Sequence, residues 1–87
     1  MAITGASSQT QKIGRTPEND IVLPQPQVSS RHALLHRDGG KLFIEDAGSA
    51  NGTYVRGQRL TPGQRVAVSP GEKVFIGPMP LACRGRR

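Results

Sequence analysis

Three separate clusters in the sequence combine glycine or small residues with side chains that bind anions. They occupy residues 14–15, 29–32 and 48–53, and they contain Gly14-Arg15, Ser29-Ser30-Arg31-His32 and Asn51-Gly52. Arginine presents a planar fork of donors that matches a phosphate group, a serine hydroxyl is a short donor, and an asparagine amide can hold a peptide backbone. If the fold brings the three clusters together, they form a site for a phosphate or another anion.

The chain around these clusters has the pattern of a β protein. Short apolar runs alternate with turn residues at intervals of about eight to twelve positions, which is typical of an all-β sandwich or barrel. The run at residues 21–23 stops at Pro24, so no helix passes through it. Apolar residues make up 34% of the chain and three residues are aromatic. We therefore expect a core of Ile, Val and Leu that includes at least two of the aromatics, Phe43, Tyr54 and Phe75.

Local turn chemistry predicts two hairpins. Residues 32–36 suit a helix or a strand, because a serine at 29 or 30 can cap a helix. The following Asp38-Gly39-Gly40 is a strong hairpin turn and favours a strand, with residues 41–45 as the return strand. Arg56-Gly57 predicts a second hairpin, and Pro62-Gly63 and Pro70-Gly71 predict turns into strands at residues 65–68 and 73–76.

Taken singly, each candidate site residue has an ordinary structural explanation. An arginine after a glycine, such as Arg15, is usually a solvated surface residue, and Ser29-Ser30 is compatible with a simple turn. Asn51-Gly52 is the commonest residue pair of a type I′ hairpin. Short motifs of this kind match by chance, so their combination carries more weight than any one of them.

Taken together, the segments resemble the forkhead-associated (FHA) domain family in order and spacing. The matching segments are Gly14-Arg15, NDIVL at residues 19–23, VSSRHA at residues 28–33, EDAGSANGTYV at residues 45–55, and Gly57. The resemblance covers residues 13–77. It implies an all-β fold, a β-sandwich of about eleven short, mostly antiparallel strands with the binding loops at one end. It also implies a protein-interaction module that binds a threonine-phosphorylated protein segment in kinase-dependent signalling.

The resemblance assigns a role to eight residues. Those implied to bind phosphate are Arg15, Ser29 and Arg31; those implied to bind peptide are Asn51 and Ser30; and those implied to shape the site are Gly14, His32 and Gly52. It implies no cofactor, no metal and no nucleic acid, no membrane contact by the domain itself, and a place within a larger protein.

Two positions depart from the family pattern. The family commonly has Thr or Ser before the Asn-Gly pair, whereas Ala50 has no side-chain donor, although Ser49 or Thr53 are candidates to compensate. A hydrogen bond to a charged group contributes roughly 1.5–3 kcal/mol, so its loss weakens binding by about tenfold or more. The family often has Arg or Asn at position 30. The shorter Ser30 is expected to relax peptide selectivity.

Other classes of function are less well supported. A scaffold that binds partners without phosphate keeps the same fold and would explain Ala50 and Ser30. Nucleic-acid binding is suggested by a net charge of +6, but single-strand binders usually add aromatic stacking platforms. The serines with His32 and Asp46 contain the atoms of a catalytic triad but lack its sequence context. His32 and His36 lack further ligands at metal-binding spacing, so we expect neither an enzyme nor a metal site.

Charge and cysteine content bear on domain organisation and compartment. We expect an N-terminal segment at residues 1–12 with at most one short strand at residues 2–4, an FHA-like domain at 13–82, and a basic tail at 83–87. That tail carries three of the positive charges. The single cysteine, Cys83, excludes an internal disulfide. Without a signal-peptide pattern or a long apolar run, the chain is expected to be cytoplasmic.

Overall fold

Two β-sheets form the described part of the protein. The computed structural model describes residues 8–83, which form nine strands: β1 (Ser8–Gly14), β2 (Ile21–Val22), β3 (Ala33–Asp38), β4 (Lys41–Asp46), β5 (Thr53–Val55), β6 (Gln58–Arg59), β7 (Arg65–Val68), β8 (Glu72–Ile76) and β9 (Met79–Cys83). The strand order is β2-β1-β3-β4-β7 in the five-stranded sheet and β6-β5-β8-β9 in the four-stranded sheet. Only the β1–β2 pair is parallel among these strands. The all-β, mostly antiparallel class is confirmed, with nine strands in residues 8–83 against about eleven expected.

The strands extend beyond the expected limits at both ends. β1 begins at Ser8 rather than near residue 13, and it pairs with β3 along six positions. At the other end, the buried Cys83 completes β9 rather than starting a tail. The strand predicted at residues 2–4 and the basic residues 84–87 lie outside the described residues. No helix in the described part is long and apolar enough to cross a membrane.

Both predicted hairpins are present. β3 and β4 are joined by the two-residue loop Gly39-Gly40, and their pairing runs from Asp38 opposite Lys41 to Ala33 opposite Asp46. β5 and β6 are joined by Arg56-Gly57, whose φ angles are 51° and 81°. Two successive positive φ angles define a type I′ turn, the form that matches the twist of paired strands.

The loop that contains Asn51-Gly52 is not a hairpin. β4 pairs with β3 and β7 in one sheet, whereas β5 pairs with β6 and β8 in the other. Residues 47–52 therefore carry the chain from one sheet to the other. Gly52 has a φ of 87°, and Arg56 is the single non-glycine residue with positive φ in the described chain. Asn51-Gly52 thus lacks the two positive angles of a type I′ pair.

The core between the sheets is aliphatic. Its buried residues are Ile13, Val28, Ala33, Leu35, Leu42, Ile44, Val55, Leu60, Val68, Val74, Ile76 and Cys83. The expectation that at least two aromatics are buried there is wrong. Successive side chains of a strand point to opposite faces of the sheet. The strand neighbours of the three aromatics point into the core, so the aromatics lie on the outer faces: Phe43, Tyr54 and Phe75. Phe75 is 41% exposed.

Candidate functional site

The three clusters meet at one end of the sandwich. The backbone N–H of Arg15 donates to Ser29 O at 3.0 Å, which joins the loop after β1 to the loop before β3. The backbone N–H of Ala50 donates to Ser29 Oγ at 3.1 Å, and Asn51 Nδ2 donates to Gln27 O at 2.7 Å. The segment at residues 27–30 is therefore held between Arg15 on one side and the loop at residues 47–52 on the other.

Arg15 is held in place by two hydrogen bonds and keeps unused donors. Its Nη1 donates to Val28 O at 3.0 Å, and its Nη2 donates to Ser30 Oγ at 3.0 Å. A guanidinium has five N–H groups, so three of them donate to no residue of the described chain. The side chain is exposed. It can bind an incoming anion without giving up the contacts that orient it.

The hydroxyl groups of Ser29 and Ser30, like the guanidinium of Arg15, are held by hydrogen bonds and still keep a donor for a ligand. Each hydroxyl oxygen accepts a hydrogen bond, from Ala50 N for Ser29 and from Arg15 Nη2 for Ser30. Neither hydroxyl donates to another of the described residues. Both O–H groups are therefore available to an acceptor such as a phosphate oxygen.

Arg31 lies beside this group in a separate shallow cleft. The cleft has a volume of about 290 Å³, and the residues that line it are Lys12, Glu18, Asn19, Ser30 and Arg31. We call it the Lys12–Arg31 cleft. Arg31 is exposed, and its guanidinium donates no hydrogen bond to any residue of the described chain. Ser30 belongs both to this cleft and to the contacts of Arg15.

Asn51 is exposed beside the glycine that shapes its loop. Its Nδ2 donates to the backbone of Gln27, which leaves its side-chain carbonyl oxygen free of hydrogen bonds to the described residues. Arg59 crosses the loop and donates from Nη2 to Ala50 O at 3.3 Å. A Cβ atom on Gly52 would lie 2.6 Å from Arg59 Nε. Position 52 thus needs glycine for its positive φ, whereas the exposed Arg59 side chain is free to move away from a Cβ atom.

His32 ties the loops together and is fully buried. Its Nδ1 accepts the backbone N–H of Ser29 at 3.0 Å, so the proton of the neutral ring is on Nε2, which donates to Gly52 O at 2.8 Å. Gly52 O also accepts the backbone N–H of Gly77 at 2.8 Å. Both ring nitrogens are engaged by backbone, so His32 forms no triad with a serine hydroxyl.

Gly14 and Asn19 join the first loop to the second. A Cβ atom on Gly14 would lie 2.2 Å from Ser30 O and 2.7 Å from Asn19 Nδ2, so no side chain fits there. Asn19 is 7% exposed, and its Nδ2 contacts Ser30 O at 2.7 Å, Thr16 O at 3.0 Å and Thr16 Oγ1 at 3.1 Å. Sequence reasoning gave Asn19 no role, although it stands within a segment that matches the family.

Asp46 organises the third loop. Its Oδ1 accepts from Ser49 Oγ at 2.5 Å and Thr53 Oγ1 at 2.7 Å, and its Oδ2 accepts the N–H groups of Gly48 at 2.9 Å and Ser49 at 3.1 Å. Burial raises the pKa of the Asp46 carboxyl, but these hydrogen bonds outweigh burial and hold the pKa below its ordinary value. Apart from the atoms of a triad, the sequence indicates no role for Asp46, because its partners depend on the conformation of the loop.

The two histidines do not share a site. His36 lies on the outer face of the five-stranded sheet, where Nε2 is 2.7 Å from Glu45 Oε1 and Nδ1 is 3.0 Å from Thr10 Oγ1. His32 contacts only backbone groups among its hydrogen-bond partners. Within residues 8–83 no three His, Cys, Asp or Glu side chains lie close enough to hold a metal ion.

The fold and the site define a β-sandwich domain whose loops bring Arg15, Ser29 and Asn51 together at one end. Residues 12–77 match the family model of the FHA domain. The chain therefore belongs to the forkhead-associated domain family.

Curated relatives and solved structures agree with this assignment. The chain is 38% identical over 87 residues to the FHA domain-containing protein FhaB of Mycobacterium tuberculosis, covering 95% of this chain and 55% of FhaB. It is 43% identical over 68 residues to the oxoglutarate dehydrogenase inhibitor of Corynebacterium diphtheriae, covering 78% and 46%. The chain thus spans about half the length of the curated relatives it matches.

A solved structure shows the same fold with a ligand. The N-terminal FHA domain of Rad53p from Saccharomyces cerevisiae, in complex with a phosphothreonine peptide, superposes with a TM-score of 0.71. Its sequence is 25% identical, and the alignment covers 83% of this chain and 60% of that chain.

Proposed function

We propose that this domain binds a protein segment that contains phosphothreonine. The observation that carries the proposal is the hydrogen-bonded junction of the three loops, in which Arg15 and Asn51 flank the segment at residues 27–30 that contains Ser29. Membership of the FHA family and the phosphothreonine complex of the Rad53p domain support it. The proposed class is an interaction module rather than an enzyme.

Each residue has a defined part in this proposal. A phosphate carries about −1.5 to −2 charges at neutral pH and three acceptor oxygens. Arg15 binds these oxygens with its three unused N–H groups, and Ser29 donates its hydroxyl. Arg31 adds positive charge from the neighbouring cleft. Asn51 and Ser30 bind the peptide backbone, while Gly14, His32 and Gly52 hold the loops.

Ala50 leaves one phosphate contact unfilled. Neither neighbouring hydroxyl replaces it: Ser49 Oγ donates to Asp46 and accepts from Gly52 N, and Thr53 Oγ1 donates to Asp46. Thr53 is fully buried and Ser49 is 9% exposed. Since a hydrogen bond to a charged group contributes roughly 1.5–3 kcal/mol, we expect the affinity to be lower than that of the Ala50→Thr variant by about tenfold or more.

The proposal also covers the setting of the domain. Because the chain spans about half of its relatives, we place it within a larger protein, with a threonine-phosphorylated protein as its partner. We place that protein in the cytoplasm, since Cys83 is a buried free thiol and reduced thiols are typical of that compartment.

Isothermal titration with three peptide pools tests the function. Degenerate peptides containing phosphothreonine, phosphoserine or unmodified threonine are titrated at one fixed salt concentration. We expect saturable binding of the phosphothreonine pool and a loss of about 100-fold or more in Arg15→Ala, because at least two charge-assisted hydrogen bonds disappear. Arg65→Ala is the matched control: it removes the same charge from the outer face of the five-stranded sheet.

Two results would contradict the proposal. Equal affinity for phosphorylated and unmodified peptides would favour the alternative, a scaffold that binds without phosphate. The same conclusion follows if Arg15→Ala and Arg65→Ala bind the phosphothreonine pool as tightly as the unmodified domain does.

A further inference from the structure

The Lys12–Arg31 cleft adjoins the proposed phosphate site. Ser30 lines the cleft, and its Oγ accepts the hydrogen bond from Arg15 Nη2 at 3.0 Å. Asn19 forms part of the cleft wall and fixes the Ser30 backbone through the 2.7 Å contact with Ser30 O. A phosphate bound by Arg15 and the cleft are therefore separated by a single short side chain.

Ser30 is a short side chain in the lining of this cleft. The FHA family often has Arg or Asn at this position, and a longer side chain there would occupy space between Arg15 and Arg31. The small serine instead leaves about 290 Å³ of space lined by polar and charged groups. The departure at position 30 therefore removes a contact but leaves open space beside Arg15.

The charges around the cleft favour an anion. Lys12 Nζ and the Arg31 guanidinium form no hydrogen bond or ion pair with any residue of the described chain. The lining residues contain one carboxylate, Glu18, against these two cations. A hydrogen bond from Thr16 and one from its own backbone lower the pKa of Glu18, with Arg31 and Lys12 adding to the effect, while burial opposes it. Asp20 accepts the backbone N–H of Lys12 and does not line the cleft.

We propose that the cleft binds an acidic side chain of the same phosphopeptide, an Asp or Glu close to the phosphothreonine, through Lys12 and Arg31. This inference rests on the proposed function, and it names the class of partner segment that the site selects. An extended peptide advances about 3.3–3.6 Å per residue. A subsite that shares Ser30 with the phosphate site is therefore within about three residues of the phosphothreonine.

Titration of position-scanned peptides tests the inference. A single phosphothreonine peptide is made with Asp and, in parallel, with Asn at each of the three positions on either side. Exposed ion pairs are individually weak and are screened by salt. We therefore expect Asp to bind about three- to tenfold more tightly than Asn at one or two positions, and the preference to fall as salt is raised. The ratio of the two affinities is compared within each variant, so a general loss of phosphate binding does not affect it.

The variants locate the preference. In the double variant Lys12→Ala/Arg31→Ala the Asp-to-Asn ratio should fall to about one, and in Glu18→Gln it should rise, because a competing charge is removed. Ser30→Leu should reduce it, because the larger side chain fills the cleft without adding a charge. Lys73→Ala, an exposed lysine on the four-stranded sheet, is the control and should leave the ratio unchanged.

The results that would contradict the acidic subsite differ from those that would contradict the proposed function. If phosphothreonine peptides bind but Asp and Asn are equivalent at every position, or the preference survives in Lys12→Ala/Arg31→Ala, the acidic subsite is wrong and the proposed function stands. If no phosphothreonine peptide binds, the proposed function fails and the acidic subsite fails with it.

Discussion

Replacing Asp46 by alanine is expected to destabilise the fold strongly and to release the loop that carries Asn51. The carboxylate is 2% exposed and accepts four hydrogen bonds, two from side chains and two from backbone N–H groups. Alanine removes every acceptor at once. Ser49 would then lose the partner of its hydroxyl, which in turn accepts the N–H of Gly52.

The magnitude follows from the donors that would be left without partners. The Thr53 hydroxyl and both donors of Ser49 are buried, whereas Gly48 is exposed and its N–H can reach water. An unsatisfied buried donor costs about 1–3 kcal/mol. Allowing for water that enters the loop, we expect a loss of about 3–5 kcal/mol. A domain of this size has a total stability of about 4–13 kcal/mol, so Asp46→Ala is close to the limit of folding.

Urea unfolding followed by far-ultraviolet circular dichroism measures this loss. Asp46→Asn is the milder variant, expected to lose about 2–3 kcal/mol because it keeps one acceptor oxygen. Asp38→Ala, an exposed aspartate at the end of β3, is the matched control and should change the free energy of unfolding by less than about 0.5 kcal/mol. If Asp46→Ala lost less than about 1 kcal/mol, the account of the loop as organised by this carboxylate would be refuted.

Three further predictions concern residues that hold the loops of the site. Gly14→Ala should lower the free energy of unfolding by about 1–3 kcal/mol in urea, because its Cβ meets Ser30 O, whereas Gly40→Ala, with nothing within 4 Å, should not. Asn19→Ala should cost about 1–3 kcal/mol in the same assay and also weaken phosphopeptide binding in titration. Burial raises the pKa of Asp46, but its hydrogen bonds lower the pKa more strongly. As the pH falls, Asp46 is therefore protonated in the unfolded chain before it is protonated in the folded chain. The free energy of unfolding should therefore fall as the pH drops below about 4, and it should fall less steeply in Asp46→Asn. The measurement is the midpoint of urea unfolding at a series of pH values.

Turns and motifs were the most predictable parts of this protein. Asp38-Gly39-Gly40 and Arg56-Gly57 predict their hairpins correctly, because the residues that permit a tight turn are contiguous in the chain. β9 is not predicted. It contains Pro80, whose missing N–H is tolerated because β9 is an edge strand.

Long-range contacts explain what the sequence does not reveal. The position of the aromatics, by contrast, follows from a local pattern: side chains alternate along β4, so Phe43 faces outward because Leu42 and Ile44 face inward, and residue type alone does not predict this. The roles of Asn19 and Gly77 arise from contacts with residues far away in the chain, Ser30 and Gly52. Such contacts depend on how the two sheets are assembled, which no local pattern specifies.

The shared acceptor at Gly52 O has a kinetic consequence. It joins His32 and the turn at Gly77 to the loop of Asn51, so segments distant in sequence are fixed relative to one another before any peptide arrives. A protein that is ordered in advance loses little conformational entropy on binding. Association should then be a single step with a rate constant of about 10⁵–10⁷ per molar per second, and partner segments of different affinity should differ mainly in how fast they dissociate.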